Sequence, residues 1–459
     1  MPPALTETKP APPRPLYRQL QPRWCGLDRE GVVGNQRMRL MGAMVEVVAE
    51  RGYAGASIKQ VSALAGVSRQ TFYDLYGTRE ACLLATYDDI VERAAERIGA
   101  AYRTECDDWQ SRLRAAFDTY VAGFVARPKG ARLALVGVFD AGPRAVARTE
   151  RTRLTFAKMI AASFERAPDN VSPPPIVVKG IVCGIDRVVR RRLADDVEGF
   201  PALTEELLAW ALCYRSAAVA RLPDPARVAR ASARPRPRAY AGSGDERVRI
   251  LRATAWIAAG QGYDHLTAGR IVDRAGVSAE TFEALYGDVE QCFLATLGLL
   301  TVEALRCAER ASRSGGDPAA NVHSGIVALM GQMASNPVFT RVAFIEILAA
   351  GADGVVCREA LLHKFGDLLT RSLPRPLRPS GVAIEASVGA IWGIVDHHVT
   401  RGAGHLLPAL AGHATYLALA PAIGAEAAVR AVLAARGVDG DGEGPRANDS
   451  RDGRSPARA

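Results

Sequence analysis

A chain of 459 residues with 58 basic against 49 acidic side chains is too long for one ordinary core, and roughly two to four domains are expected. Its 48% hydrophobic content is that of a soluble globular protein, and no window reaches the roughly 18 uninterrupted apolar residues of a membrane span, so no membrane partner is expected. The sequence pI of about 9.3 permits a polyanionic partner but does not locate it.

The first stretch, residues 1–34, is rich in proline and arginine and has no apolar core of a secretory signal; it predicts a disordered arm and a cytoplasmic address. Residues 35–86 then read as three helices. Leu40, Met41, Met44, Val45 and Val48 recur at helical spacing up to a stop at Gly52. Ser57 with Gln60 makes a capping box for a short helix over Ser57 to Leu64, and Ser68 caps another that ends at Tyr76. The two are joined by Ala65-Gly66-Val67, which is the spacing of a helix-turn-helix. Phe72 and Leu75 face inward with Val67, which leaves Arg69, Gln70, Thr71 and Tyr73 outside. Arginine can bond guanine bidentately, glutamine can bond adenine, and the hydroxyls can hold phosphates.

Residues 87–220 predict a larger helical domain, and 221–244 (RLPDPARVARASARPRPRAYAGSG) a linker unable to build a core. Its arginines (Arg227, Arg230, Arg234, Arg236, Arg238), like Arg14, Arg18 and Arg23 of the arm, suit either phosphate contacts or a solvated tether. Residues 245–296 predict a second set of three helices, 297–436 a second helical domain, and 437–459 a disordered tail. The fold class is therefore all-α, with no alternating strand pattern.

The second half repeats the first. At a constant offset of 210, residues 37–86 match 247–296 at about twenty of fifty positions, among them the run AGVS at Ala65 and Ala275 and the LYG at Leu75 and Leu285. Gly180 and Gly184 meet Gly389 and Gly393 at an offset of 209. What differs in the first window is charge: Lys59 becomes Gly269, Arg69 Ala279, Gln70 Glu280, Tyr73 Glu283 and Arg79 Val289. A face with Glu280, Glu283, Asp288 and Glu290 repels phosphates, so the second helix-turn-helix is expected to keep the fold with little DNA affinity, although Arg270 and Arg274 remain before it.

The stretch GYAGASIKQVSALAGVSRQTFYDLYGTREACLLATYD closely resembles the N-terminal domain of TetR-family transcriptional regulators, and GLDREGVVGNQRMRL is similar to the arm and first helix of some of them. The chain would then be a tandem pair of such units. The resemblance implies double-stranded DNA as partner, with Arg69, Gln70, Thr71 and Tyr73 contacting it, Ser57 and Lys59 approaching phosphates, Ser68, the cap of the reading helix, also among the DNA-binding residues, and Arg79 at the backbone edge. It also implies that each following domain binds a small apolar effector and dimerises through its last two long helices, here about Ile176 to Leu193 with Leu203 to Tyr214, and Val382 to Arg401 with Pro408 to Leu419. An intrachain pseudo-dimer on an asymmetric site and a homodimer on a palindrome both stay open. Trp109, Phe117, Phe124, Phe139, Phe156 and Phe164 in the first half, and Met330, Phe339, Phe344 and Phe365 in the second, are core residues and candidates to line such pockets.

No metal or other cofactor is expected: the eight cysteines are scattered without a CxxC pair, and His397-His398 point to different sides of a helix with no third ligand at i+4. Cys82, Cys183, Cys213 and Cys292 read as buried helix residues. There is no GxSxG, Walker-type loop or HExxH, so the expected function is a DNA-binding regulator, a repressor relieved by its effector, and not an enzyme. The rival is a ligand-sensing or partner-docking scaffold that keeps the helix-turn-helix only as a fold.

Overall fold

The computed structural model describes residues 29–103, 108–167, 169, 171–195, 200–231, 244–313 and 317–435. Among them there is no strand, and the helices follow one another in two runs of the same order. The first run is α1 (Arg29–Gly55), α2 (Ile58–Ala65), α3 (Arg69–Tyr76), α4 (Arg79–Arg103), α5 (Trp109–Ala126), α6 (Pro128–Leu135), α7 (Pro143–Glu165), α8 (Pro175–Asp195), α9 (Phe200–Leu212) and α10 (Pro225–Ala231). The second is α11 (Glu246–Gln261), α12 (Ala268–Ala275), α13 (Ala279–Tyr286), α14 (Val289–Ala311), α15 (Pro318–Ser335), α16 (Pro337–Phe344), α17 (Gly351–Ser372), α18 (Gly381–Val399), α19 (Leu407–Ile423) and α20 (Ala425–Ala435).

Two of the expected boundaries move. The helix α1 starts at Arg29, so residues 29–34 belong to it and not to the arm; Glu30 sits in its first turn, where a carboxylate favours the positive end of the helix. The linker is helical in part: Asp224 Oδ1 accepts from Ala226 N at 2.9 Å and Pro225 takes the first helical position, a start signal that makes α10. Val219 and Leu222 are buried, so the first core reaches past residue 220. The arginines Arg14, Arg18, Arg23, Arg234, Arg236 and Arg238 and the tail from 437 lie outside the described residues.

The halves are joined through α8, α9, α18 and α19, the four helices expected to pair. Glycines let α8 and α18 approach closely. A Cβ on Gly184 would stand 2.5 Å from the Ala386 carbonyl oxygen and 2.4 Å from the Trp210 ring, and one on Gly389 would stand 3.2 Å from Gly184 Cα. Any larger residue there would have to push the helices apart. Around the crossing, Trp210 Nε1 donates to Ser387 Oγ at 3.2 Å, Tyr214 Oη to the Leu417 carbonyl at 2.9 Å and Tyr416 Oη to the Tyr214 carbonyl at 2.8 Å. Tyr214 and Tyr416 are fully buried, each worth roughly 1.5–3 kcal/mol by transfer from water, and their hydroxyls are satisfied across the seam.

One apolar core runs from Leu113 through this seam to Leu433. Among the described residues two helices are long and apolar enough to cross a membrane, α14 and the stretch Gly404–Ile423 that contains α19. Both bury much of their surface in that core, which accounts for their composition.

Candidate nucleic-acid interface and effector cavity

The first head is made by α1, α2 and α3. Ser57 caps α2: its backbone N donates to Gln60 Oε1 at 2.9 Å, and its hydroxyl accepts from Gln60 N at 3.3 Å. The chain leaves α2 through Gly66, whose φ of 59° is left-handed and favours glycine, and Ser68 then accepts from Thr71 N at 3.0 Å to start α3. Phe72 is fully buried at the centre of the head with Leu40, Met44, Val61 and Leu83. That burial orients α3 so that Arg69, Gln70 and Tyr73 stand exposed on its outer side, with Thr71 half-buried beside them.

The expected site residues fall into three groups. Lys59 and Arg69 are exposed cations with no ion pair among the described residues, and Tyr73 is half exposed with its ring edge-on to Phe72. Gln70 Nε2 donates to Asp74 Oδ1 at 2.9 Å, which holds the amide along the face. The hydroxyls of Ser57, Ser68 and Thr71 are engaged in caps, the last two 2.8 Å apart, so they shape the helix starts. Arg79 departs from expectation. Its guanidinium donates to the carbonyls of Ala54 and Ala56 and lies 4.2 Å from the Tyr53 ring centroid, so it closes the end of α1 and is not presented to a phosphate.

Two supporting contacts went unread in the sequence. Arg39 donates to the carbonyls of Ala65 and Gly66, tying the turn of the motif to α1, and Tyr76 Oη donates to the Arg37 carbonyl at 3.4 Å. The second head repeats both: Arg249 reaches the Gly276 carbonyl at 3.2 Å and Tyr286 Oη the Arg247 carbonyl at 3.4 Å. The identity of Arg39 with Arg249 at the repeat offset was the available signal.

The second head also keeps the cap of α13 (Thr281 N to Ser278 Oγ, 3.1 Å), the left-handed glycine at Gly276 and the buried Phe282. Its outer face differs. Ala279, Glu280 and Glu283 are as exposed as the residues they replace. Residues 57–79 hold three bases (Lys59, Arg69, Arg79) and one acid (Asp74); residues 267–289 hold two (Arg270, Arg274) and four (Asp273, Glu280, Glu283, Asp288). The Glu280 carboxyl is held below the usual range by hydrogen bonds from the Ser278 hydroxyl and the backbone, so it is ionised at the helix start where a phosphate would otherwise be drawn. Both remaining arginines are engaged locally, Arg274 stacked on Trp256 and Arg270 bonded to the His265 carbonyl at 3.1 Å.

The bodies behind the heads differ as well. A cavity of about 460 Å³ lies between α4, α5, α7 and α8 in the first half; Phe117, Phe124, Phe139 and Phe156 line it, whereas Trp109 and Phe164 lie outside it and pack against Arg215. The corresponding space in the second half is about 90 Å³, lined by Met330, Phe344 and Phe365 among others, but not by Phe339. Counting 209 positions on, Leu135 becomes Phe344 and Cys183 becomes Trp392, and these two rings stack at 3.9 Å and fill the space.

His397, set aside as a metal ligand, joins the halves instead: its Nδ1 is 2.9 Å from Glu150 Oε1 and also meets Lys179. Burial alone would raise the Glu150 carboxyl, but His397, Lys179 and Arg153 outweigh it and bring it down to about 2. The thiols of Cys82, Cys183, Cys213 and Cys292 are all pushed up by burial, as expected of core residues and not of reactive ones.

A buried aromatic that orients a capped, base-bearing helix after a short left-handed turn defines a helix-turn-helix DNA-binding unit. Residues 40–86, the first head with the start of α4, match the family model described as bacterial regulatory proteins, tetR family. Solved structures to which the chain is similar include the fatty acid degradation regulator FadR from Bacillus halodurans (16% identity, 39% of this chain and 97% of that one, TM-score 0.34). A TetR-like transcriptional regulator from Rhodococcus sp. RHA1 (20% identity, 40% and 98%, TM-score 0.33) and a TetR family transcription regulator from Marinobacter aquaeolei VT8 (18% identity, 41% and 94%, TM-score 0.22) are others. A comparison with curated proteins gave no match.

Proposed function

We propose that the chain is a cytoplasmic repressor that carries a tandem pair of regulator units, approximately residues 29–222 and 245–435, and closes them on each other as an intrachain pseudo-dimer. It reads DNA with the first head alone: Arg69 and Gln70 meet base edges, and Lys59 and Tyr73 hold the backbone. A small, largely apolar effector enters the cavity of the first half and releases the DNA.

The observation that carries this reading is the pattern of change between the heads. Positions with a structural task in both (Arg39 and Arg249, Ser68 and Ser278, Phe72 and Phe282, Tyr76 and Tyr286) are the same residue, and the exposed positions of the reading face are the ones that lost base-bonding and cationic side chains. Selection of binding sites from a random duplex library, at a stated moderate salt concentration, tests it. A single enriched sequence lost with Arg69→Ala supports the reading; no enrichment, or enrichment indifferent to Arg69, overturns it.

A further inference from the structure

The cavity of the first half has two unlike ends. It follows α4 from Tyr87 to Tyr102, about 20 Å at 1.5 Å per residue. At the deep end the half-buried Arg153 and the buried Asp186 are bonded to each other at 2.7 Å, with Arg190 3.3 Å from the same carboxylate. Their charges are already paired, so that end asks for no ion. Between the ends the walls are aromatic and aliphatic, and the hydroxyls of Thr119, Thr149 and Ser163 bond to carbonyls of their own helices.

The outer end is different. Arg97 and Arg103 from α4 and Arg166 from the end of α7 line it, all exposed, and no carboxylate among the described residues pairs with any of them. Asp186, at the far end, is the one carboxylate among the described lining residues. The Tyr102 hydroxyl is buried with no hydrogen-bond partner among the described residues, and the Arg166 guanidinium lies 5.6 Å from its ring centroid. Leaving a buried hydroxyl without a bond is costly, and a phenol is a good donor to an anionic oxygen. An uncharged ligand would leave three cations and that hydroxyl without a counterpart among the described residues.

We infer that the cavity takes an amphipathic anion: an apolar body along the aromatic walls and one carboxylate or phosphate head at the mouth, held by Arg97, Arg103, Arg166 and the Tyr102 hydroxyl. The inference rests on the reading of this cavity as the effector site and narrows the effector's chemistry. Arg153, although it lines the same cavity, is assigned no part in holding the head, because Asp186 already neutralises it.

The test is calorimetric titration of the full chain with four probes that share one tail, each below its self-association concentration: dodecanoate, dodecyl phosphate, dodecan-1-ol and dodecyltrimethylammonium. The anions are expected to bind about tenfold or more tighter than the alcohol, with the cation weakest, and the better of the two anions identifies the head. Arg103→Gln with Arg166→Gln, and separately Tyr102→Phe, should erase most of that preference while dodecan-1-ol binds as before, which also reports that the cavity has kept its shape. Alcohol binding as tight as the anions, or no binding of any probe, overturns the inference. Neither outcome touches the DNA-reading claim, since alcohol that binds and releases DNA would leave the regulator intact with a neutral effector.

Discussion

The two heads fold by the same contacts and present opposite surfaces, and the bodies behind them diverge in the same sense. The first head has a core of its own around Phe72, to which the body adds Leu133 of α6. The second shares one continuous core with its body, and Glu346, which stands where the first half has Gly137, is buried at the joint: it accepts from Tyr263 N at 2.9 Å and from Arg341 Nε at 3.1 Å. The half with the basic face has the larger cavity and a head with its own core. The half with the acidic face has the stacked Phe344 and Trp392 in the corresponding space and a head that shares the core of its body.

The largest effect expected separates the two cores. Phe72→Ala and Phe282→Ala should each cost about 3–5 kcal/mol, a usual loss for a buried phenylalanine. In the first head the loss should appear as a separate early melting step with the body intact, and in the second as a fall of the main transition; calorimetric melting of both variants reads this, and identical profiles would break the comparison.

Grafting the second face onto the first (Arg69→Ala, Gln70→Glu, Tyr73→Glu) comes next. It should reduce affinity for the selected DNA by about a hundredfold or more while the melting temperature holds, because all three positions are exposed. The reverse graft (Ala279→Arg, Glu280→Gln, Glu283→Tyr) should raise DNA affinity and steepen its salt dependence; no change in a fluorescence-anisotropy titration counts against a face that lost function only through its charge. Arg69→Ala alone should cost about 1–3 kcal/mol and relax preference at one base position.

The smallest effect concerns the seam. Because the folded Glu150 carboxyl lies at about 2, below its ordinary value, its contribution is full above the ordinary carboxylate range and is lost as pH falls through that folded value. The stability difference between the wild type and Glu150→Gln should therefore be constant near neutrality and shrink between about pH 5 and pH 2. A difference that does not vary over this range would remove Glu150 from the contacts that hold His397, and with it the second half, in place.

Much of the first head was legible in the sequence because its signals are local: Ser57 with Gln60, Gly66 and Ser68 each bond within a few residues, and the repeat checks them twice. Arg79 misled for the complementary reason. A lone arginine at a helix start reads as a phosphate contact until the carbonyls of Ala54 and Ala56 are known to lie beside it, some twenty residues away in the chain. The pairing of the last long helices could be named from the resemblance, but the reason for Gly184 and Gly389 lies across the seam, where each meets a helix from the other half. The cavity was the least legible. Phe156 and Phe164 have the same helical spacing, and only packing puts one on the cavity wall and the other against Arg215.

The central claim is that one chain brings one reading head to DNA. A hydroxyl-radical footprint of the purified chain on the selected duplex, with the mass of the same complex measured in solution, tests it most directly. One chain per duplex protecting a short, asymmetric patch is the predicted result. A long inverted repeat, covered either by two chains or by one chain whose protection weakens when Arg270 and Arg274 are replaced, would contradict it.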